Sequence, residues 1–264
     1  MLDWRFAIRP TANPDMKRFL LAAAALLATS LHAHGAEVSV AVAANFTAPM
    51  QKIAALFEQD TGHKAVLAFG STGRFYAQIR NGAPFEVLLA ADDETPARLE
   101  REVLAVPGSR FTYAVGRLVL WSKRAGLVDG QGQVLRRRDA FDRIAVADPK
   151  LAPYGAAAIE VMGKLGVLDA LRPRIVQGES IAQTHQFVAT QNAALGFVAM
   201  SQVYVNGHLG EGSAWIVPAD LHAPLRQDAV LLKKGQGNAA ATALLAFLKG
   251  DKAKALIRGH GYGL

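Results

Sequence analysis

The chain has 264 residues, a formal net charge of +7 at pH 7 and no cysteine. Structural disulfides, thiolate nucleophiles and cysteine-ligated metals are excluded, and a hydrophobic share of 51% is enough to build a core without covalent staples. The positive balance describes long-range attraction to anions and leaves the fold open.

The amino terminus predicts an export signal. Met16-Lys17-Arg18 form a positive flank, residues 19–28 are a continuous apolar run, and a small-residue region ends near Ala33 or Ala36. The run is too short to cross a bilayer, so residues 1–36 are read as an amino-terminal extension and a removed leader. Removal takes away Arg5, Arg9, Lys17 and Arg18 along with Asp3 and Asp15, lowering the formal charge from +7 to +5. Export to the periplasm argues against nucleic acid as a partner.

From residue 37 onward, strand-like runs alternate with amphipathic helices. Residues 38–43 read as a strand, and 49–59 as a helix with Met50, Ile53, Ala54 and Phe57 at helical spacing and Gly62 as its stop. A strand over 65–69, a helix over 74–80, a strand over 87–90 and a helix start at Thr95-Pro96 follow. This order implies a mostly parallel sheet covered on both faces. Residues 111–121 form a strand candidate long enough to leave one sheet and enter another, and 218–228 are a candidate return passage. Between them lie strands at 144–147, 175–176 and 195–199 and helices at 156–164 and 182–190. A strand at 229–232 and helices at 239–248 and 252–258 close the chain.

Four stretches end a strand with small or turn residues and open a helix. They are Ala43-Ala44-Asn45-Phe46-Thr47, Gly70-Ser71-Thr72-Gly73, Ala152-Pro153-Tyr154-Gly155 and Glu179-Ser180-Ile181-Ala182. Helix starts expose unpaired N–H groups and the positive end of the peptide dipole, so several that converge make an anion site without Lys or Arg. Asn45, Thr47, Ser71, Thr72 and Ser180 are the candidate ligand groups, with the Tyr154 hydroxyl beside them. Each Ser, Thr or Asn is equally a common helix cap. The ligand reading rests on all four starts sharing the carboxyl edge of the predicted sheets, where open α/β sheets bind ligands.

Other features read as structural. Arg74 and the run Arg136-Arg137-Arg138 are solvated, the latter without interleaved aromatic residues. The histidines at 63, 185, 208, 222 and 260 lack metal-ligand spacing. Asp92-Asp93-Glu94 caps the helix beginning near Pro96 in preference to holding a cation. Gly70-Ser71-Thr72-Gly73 lacks the spacing of a nucleophile elbow, and Gly130 and Gly132 lack the rest of a dinucleotide fingerprint.

The mature chain resembles the periplasmic molybdate-binding proteins of ABC transporters. The carriers are Ala43-Ala44-Asn45-Phe46-Thr47, Phe69-Gly70-Ser71-Thr72-Gly73, Ala77-Gln78-Ile79-Arg80-Asn81-Gly82-Ala83-Pro84, Ala91-Asp92, Asp148-Pro149-Lys150-Leu151-Ala152-Pro153-Tyr154-Gly155 and Leu195-Gly196-Phe197-Val198. The resemblance implies an α/β, two-lobed type II periplasmic binding protein, each lobe a mostly parallel sheet flanked by helices. Lobe I is expected over 37–115 plus 224–264 and lobe II over 116–223. It implies a monomer that is not an enzyme, holds no cofactor or metal-ion ligands, closes on molybdate or tungstate, and hands it to a membrane permease. The family's ligand positions match Asn45, Thr72, Tyr154 and, through its backbone N–H, Ile181, with Ala44 and Ser71 as additional candidates. Some members carry Ser at Asn45 and Thr at Ala44, and many carry Ser at Thr72. The alternatives are another oxyanion such as sulfate on the same fold, or a secreted hydrolase acting through Ser71.

Overall fold

The computed structural model describes residues 35–264, so the expected leader lies outside the described residues. β1 (Glu37–Ala43) runs into a 3-10 turn (Ala44–Phe46) and then α1 (Thr47–Thr61). The helix starts two residues before the predicted Pro49, which costs nothing because a proline in the first turn lacks only an N–H that would go unpaired there. It stops at Gly62, whose left-handed backbone (φ 73°) lets its N–H reach the Glu58 carbonyl.

Next come β2 (Lys64–Gly70), α2 (Thr72–Arg80), β3 (Val87–Leu89), α3 (Glu94–Arg101), β4 (Phe111–Gly116) and β5 (Leu118–Ser122). β6 (Ile144–Ala147), α4 (Pro153–Lys164), α5 (Leu168–Leu171), β7 (Ile175–Gly178), α6 (Ile181–Ala189), β8 (Leu195–Ala199) and α7 (Met200–Val203) follow. A small hairpin of β9 (Tyr204–Val205) and β10 (His208–Leu209) leads to β11 (Ser213–Ile216), β12 (Leu225–Leu231), α8 (Ala239–Leu248) and α9 (Asp251–Gly259).

The strands form two five-stranded sheets, ordered β2-β1-β3-β12-β4 and β11-β5-β8-β6-β7. The run read as one strand over 111–121 is divided at Arg117, with β4 in the first sheet and β5 in the second. β12 is antiparallel to both β3 and β4, and β5 is antiparallel to both β8 and β11, while the other pairings are parallel. Each sheet thus has one reversed strand, and each is the strand that follows a passage from the other sheet. A chain leaving the carboxyl end of β4 enters the second sheet at its carboxyl edge, so it has to run backwards there.

Each sheet is buried on both faces, as a mostly parallel sheet must be. One face of the first packs Val38, Val40, Val42 and Leu89 against Met50, Ile53 and Phe57 of α1 and Leu244 of α8. Its other face packs Ala41 and Leu88 against Phe75 and Ile79 of α2 and Leu99 of α3. In the second sheet Ile144, Val146 and Phe197 meet Ala158, Val161 and Met162 of α4, while Val119, Trp121 and Val198 meet Val188 of α6. Among the described residues no helix is long and apolar enough to cross a membrane.

Candidate functional site

The starts of the first 3-10 turn, α2, α4 and α6 converge on one small cavity of about 10 Å³. It is lined by Ala43, Ala44, Asn45, Gly70, Ser71, Thr72, Ala91, Ala152, Pro153, Tyr154 and Ile181, none of which is charged. The structure therefore brings together, from both sheets, the six positions matched through the resemblance, Ala44, Asn45, Ser71, Thr72, Tyr154 and Ile181, while the other two candidates, Thr47 and Ser180, are not in the lining. Two of the contacts that draw the walls together are Gly73 N–H to the Leu151 carbonyl (2.9 Å) and the Ser201 hydroxyl to the Asn45 carbonyl (2.8 Å). A glycine at 73 makes room for this contact, since a Cβ there would sit only 3.0 Å from the Leu151 Cα.

Capping accounts for few of these polar groups. Ser180 accepts from Gln183 N–H at 3.3 Å and is a true cap of α6. Ser71 occupies the cap position of α2 yet makes no capping bond, and its buried Oγ has no hydrogen-bond partner. Thr72 Oγ1 accepts from Ala91 N–H at 2.9 Å, which occupies a lone pair and leaves its proton to be donated. Tyr154 OH is likewise an acceptor, from Gln227 Nε2 at 3.1 Å. Thr47 turns away and donates to the Ala44 carbonyl. Ile181 is the first residue of α6, so its N–H lies outside the helical ladder, as do those at the start of the 3-10 turn.

Asn45 is held differently. Its Nδ2 donates to Gln227 Oε1 (2.8 Å) and to Tyr262 OH (3.0 Å), so both amide protons are engaged within the protein. Behind the cavity wall a buried polar network continues through Tyr113, which donates toward Ala90 O (2.9 Å) and Gln227 Oε1 (3.1 Å), and through Tyr262 and Ser201. Sequence reasoning missed Gln227, Tyr113, Tyr262 and Ser201. Burial pushes the Tyr154 and Tyr113 hydroxyls well above the usual phenol range and the Tyr262 hydroxyl to about 12, so all three stay protonated.

Several of the features read as structural have partners within the protein. Arg74 pairs with Glu179 at 2.8 Å outside the cavity, both side chains more than half exposed (60% and 68%). Asp92 accepts from Thr95 N–H (2.8 Å) and Oγ1 (3.1 Å) at the start of α3. Arg136 donates to the Leu165 carbonyl and Arg137 lies 3.8 Å from Asp129. Among the described residues no cluster of His, Cys, Asp or Glu could hold a metal ion. Ser71, without a His or a carboxylate to activate it, has no equipment for nucleophilic attack.

The arrangement is a pocket with no charged side chain whose lining offers hydroxyl and N–H donors, suited to an anion that carries no proton. Residues 38–263 match the family model of the bacterial extracellular solute-binding proteins. The chain belongs to that family. A molybdate-binding protein of Azotobacter vinelandii is 62% identical over 232 residues, covering 88% of this chain and 92% of the relative. A molybdate-binding protein of Rhodobacter capsulatus is 54% identical over 241 residues, covering 91% and 94%. Among solved structures, the periplasmic molybdate-binding protein of Azotobacter vinelandii superimposes with a TM-score of 0.83 at 43% identity, covering 86% of this chain and 99% of that one. These relatives are named for binding a solute, and this member of the family is a solute-binding protein and not an enzyme.

Proposed function

We propose that the chain captures molybdate, and equally tungstate, in this cavity and delivers it to an ABC permease. The observation that carries the reading is the pair of cavity hydroxyls on Ser71, which is buried without a partner, and Thr72, which only accepts, with the buried Tyr154 hydroxyl beside them in a lining free of charge. Together with the N–H groups of Ala44, Asn45 and Ile181 they would surround a tetrahedral dianion. Each charge-assisted bond is worth roughly 1.5–3 kcal/mol, so a handful reaches about −8 kcal/mol, or micromolar affinity and better, after ordering costs. The names and identities of the relatives support molybdate as the solute and the periplasm as its place of capture.

The same reading divides the chain into lobe I, 37–115 plus 224–264, and lobe II, 116–223, which close about the two passages between the sheets. The protein works as a monomer once residues 1–36 are removed, and needs no cofactor. Selectivity follows from the donor set. Monohydrogen phosphate would bury a proton that nothing accepts, and sulfate is too small for donors spaced around molybdate. Tungstate matches molybdate in size and charge. Calorimetric titration of residues 37–264 should therefore give similar tight binding of molybdate and tungstate, with sulfate and phosphate at least about a hundredfold weaker, on the order of 3 kcal/mol. Displacement of molybdate by an equal concentration of sulfate would refute the assignment.

A further inference from the structure

Gln227 lies behind the cavity lining, fully buried on β12, and touches groups from both halves of the site. Its Oε1 receives Asn45 Nδ2 at 2.8 Å and Tyr113 OH at 3.1 Å, and its Nε2 donates to Tyr154 OH at 3.1 Å. The direction of these bonds can be traced from the far side of Asn45. Tyr262 gives its proton to the Asn45 backbone carbonyl at 2.7 Å, so it turns a lone pair toward the Asn45 side chain. That lone pair fixes Nδ2 as the atom of Asn45 on this side, 3.0 Å away. Nδ2 in turn requires Oε1 as the facing atom of Gln227, which leaves Nε2 to face Tyr154. A phenol whose oxygen already accepts a bond has its proton free for another acceptor. Tyr154 lines the cavity, so an anion bound there is an acceptor that competes with the neighbouring Tyr262 hydroxyl for this proton.

From this chain of bonds, and resting on the reading of the cavity as an oxyanion site, we propose that Gln227 is a positioning residue that commits the Tyr154 proton to the bound anion. A carbonyl in its place would draw that proton away from the ligand. The backbone supports the same contact. Gly116, the last residue of β4, passes beside it: a Cβ there would collide with the Tyr154 hydroxyl and lie 2.6 Å from Gln227 Nε2. The φ of Gly116 is not positive, so the absence of a side chain is needed for the space it leaves and not for its conformation. The passage between the two sheets thus runs through the gap that lets Gln227 and Tyr154 meet. Burial, which keeps Tyr154 protonated, makes the donor role persist across the neutral range.

The test is a double-mutant cycle read by titration with sodium molybdate, using wild type, Gln227→Met, Tyr154→Phe and the double variant. Gln227→Met should weaken binding about tenfold when Tyr154 is present and less than about threefold when it is already Phe. A role limited to packing would cost the same in both backgrounds. If Gln227→Met does not fold, Gly116→Ala replaces it in the same cycle, since it leaves both side chains in place and parts them. Equal losses in the two backgrounds, or no loss, overturn the role of Gln227 while leaving the oxyanion site standing. A wild-type protein that does not bind molybdate overturns the site reading and this inference with it.

Discussion

Two concave regions flank the segment Leu151–Ala152–Pro153, and they differ in kind. One is the small uncharged cavity of about 10 Å³; the other is an open groove of about 330 Å³ with Asp92, Asp93, Glu94, Lys150, Glu160 and Arg226 on its walls. Size and charge would favour the groove as the functional site. Its inner carboxylates, however, already have partners. Asp92 is held by Thr95, and Glu160 accepts Ala223 N–H at 2.9 Å and faces Lys164 at 2.9 Å. In the cavity the opposite holds: hydroxyls are buried with protons that nothing accepts, a state that costs about 1–3 kcal/mol per group unless a ligand relieves it. A binding site is marked by hydrogen-bonding capacity left over after the fold has been satisfied, more than by volume.

The sharpest way to break this contrast is to put the wrong charge into the cavity. Ser71→Asp should abolish molybdate binding, because an unpaired carboxylate against a dianion costs at least about 4 kcal/mol, a thousandfold. Asp93→Asn in the groove should leave the affinity unchanged, and calorimetry on both variants, with far-UV circular dichroism to check folding, decides between the regions. Thr72→Ala and Tyr154→Phe each delete one hydroxyl donor and should cost roughly 1–3 kcal/mol, about five- to a hundredfold in Kd. Wild-type affinity in both would remove the hydroxyls from the site.

Smaller effects are expected at the mouth. Arg74→Ala removes an exposed ion pair with Glu179, worth at most about 1 kcal/mol, and should change Kd less than about fivefold, with the change shrinking as salt is added. A loss larger than that of Thr72→Ala would mean that charge, not neutral donors, holds the anion. The smallest expected effect is that of pH. An unfolded tyrosine releases its proton near pH 10, whereas Tyr262 in the fold does so at about 12 and Tyr154 is also raised. Because these pKa values are higher in the fold, their contribution to stability is whole below about pH 10 and declines above it. Affinity and melting temperature should therefore not respond to these phenols between about pH 6 and 9, and alkaline titration should lower both.

Much of this was legible in the sequence, and the parts that were not share a cause. Ser71, Thr72 and Tyr154 stood out because a polar residue at the end of an apolar strand has few structural reasons to be there. Local patterning also anticipated the helices over Met50, Ile53 and Phe57 and the Asp92 cap. What it missed is long-range or irregular. Asn45 meets Gln227 across 182 residues and Tyr262 across 217, separations that no window of periodicity spans. Arg226-Gln227-Asp228 reads as a polar loop because it is polar throughout, yet it lies in a sheet covered on both faces, where successive residues are both buried, and the register shifts between Gln227 and Asp228. Asp228 is matched there by Arg110 at 2.6 Å and Thr112 at 2.7 Å. The buried phenols of Tyr113 and Tyr262 were the available hint, since a buried hydroxyl needs a partner somewhere.

The strand order of the first sheet also has a consequence in time. β12 lies between β3 and β4, so the facing edges of those two strands have nothing to bond until residues 225–231 exist. Strands β5 to β11, by contrast, come from one uninterrupted stretch, 118–216, and can assemble by themselves. Synthesis from the amino terminus therefore delivers a complete second sheet while the first still lacks an interior strand, and the proposed anion pocket, which has Gln227 and Tyr262 behind its wall, is among the last parts to form. Pulse-labelled hydrogen exchange during refolding should find β6 and β8 protected before β3 and β4. The first sheet is thus completed by the last of the twelve described strands, so its closure waits on the carboxyl-terminal part of the chain.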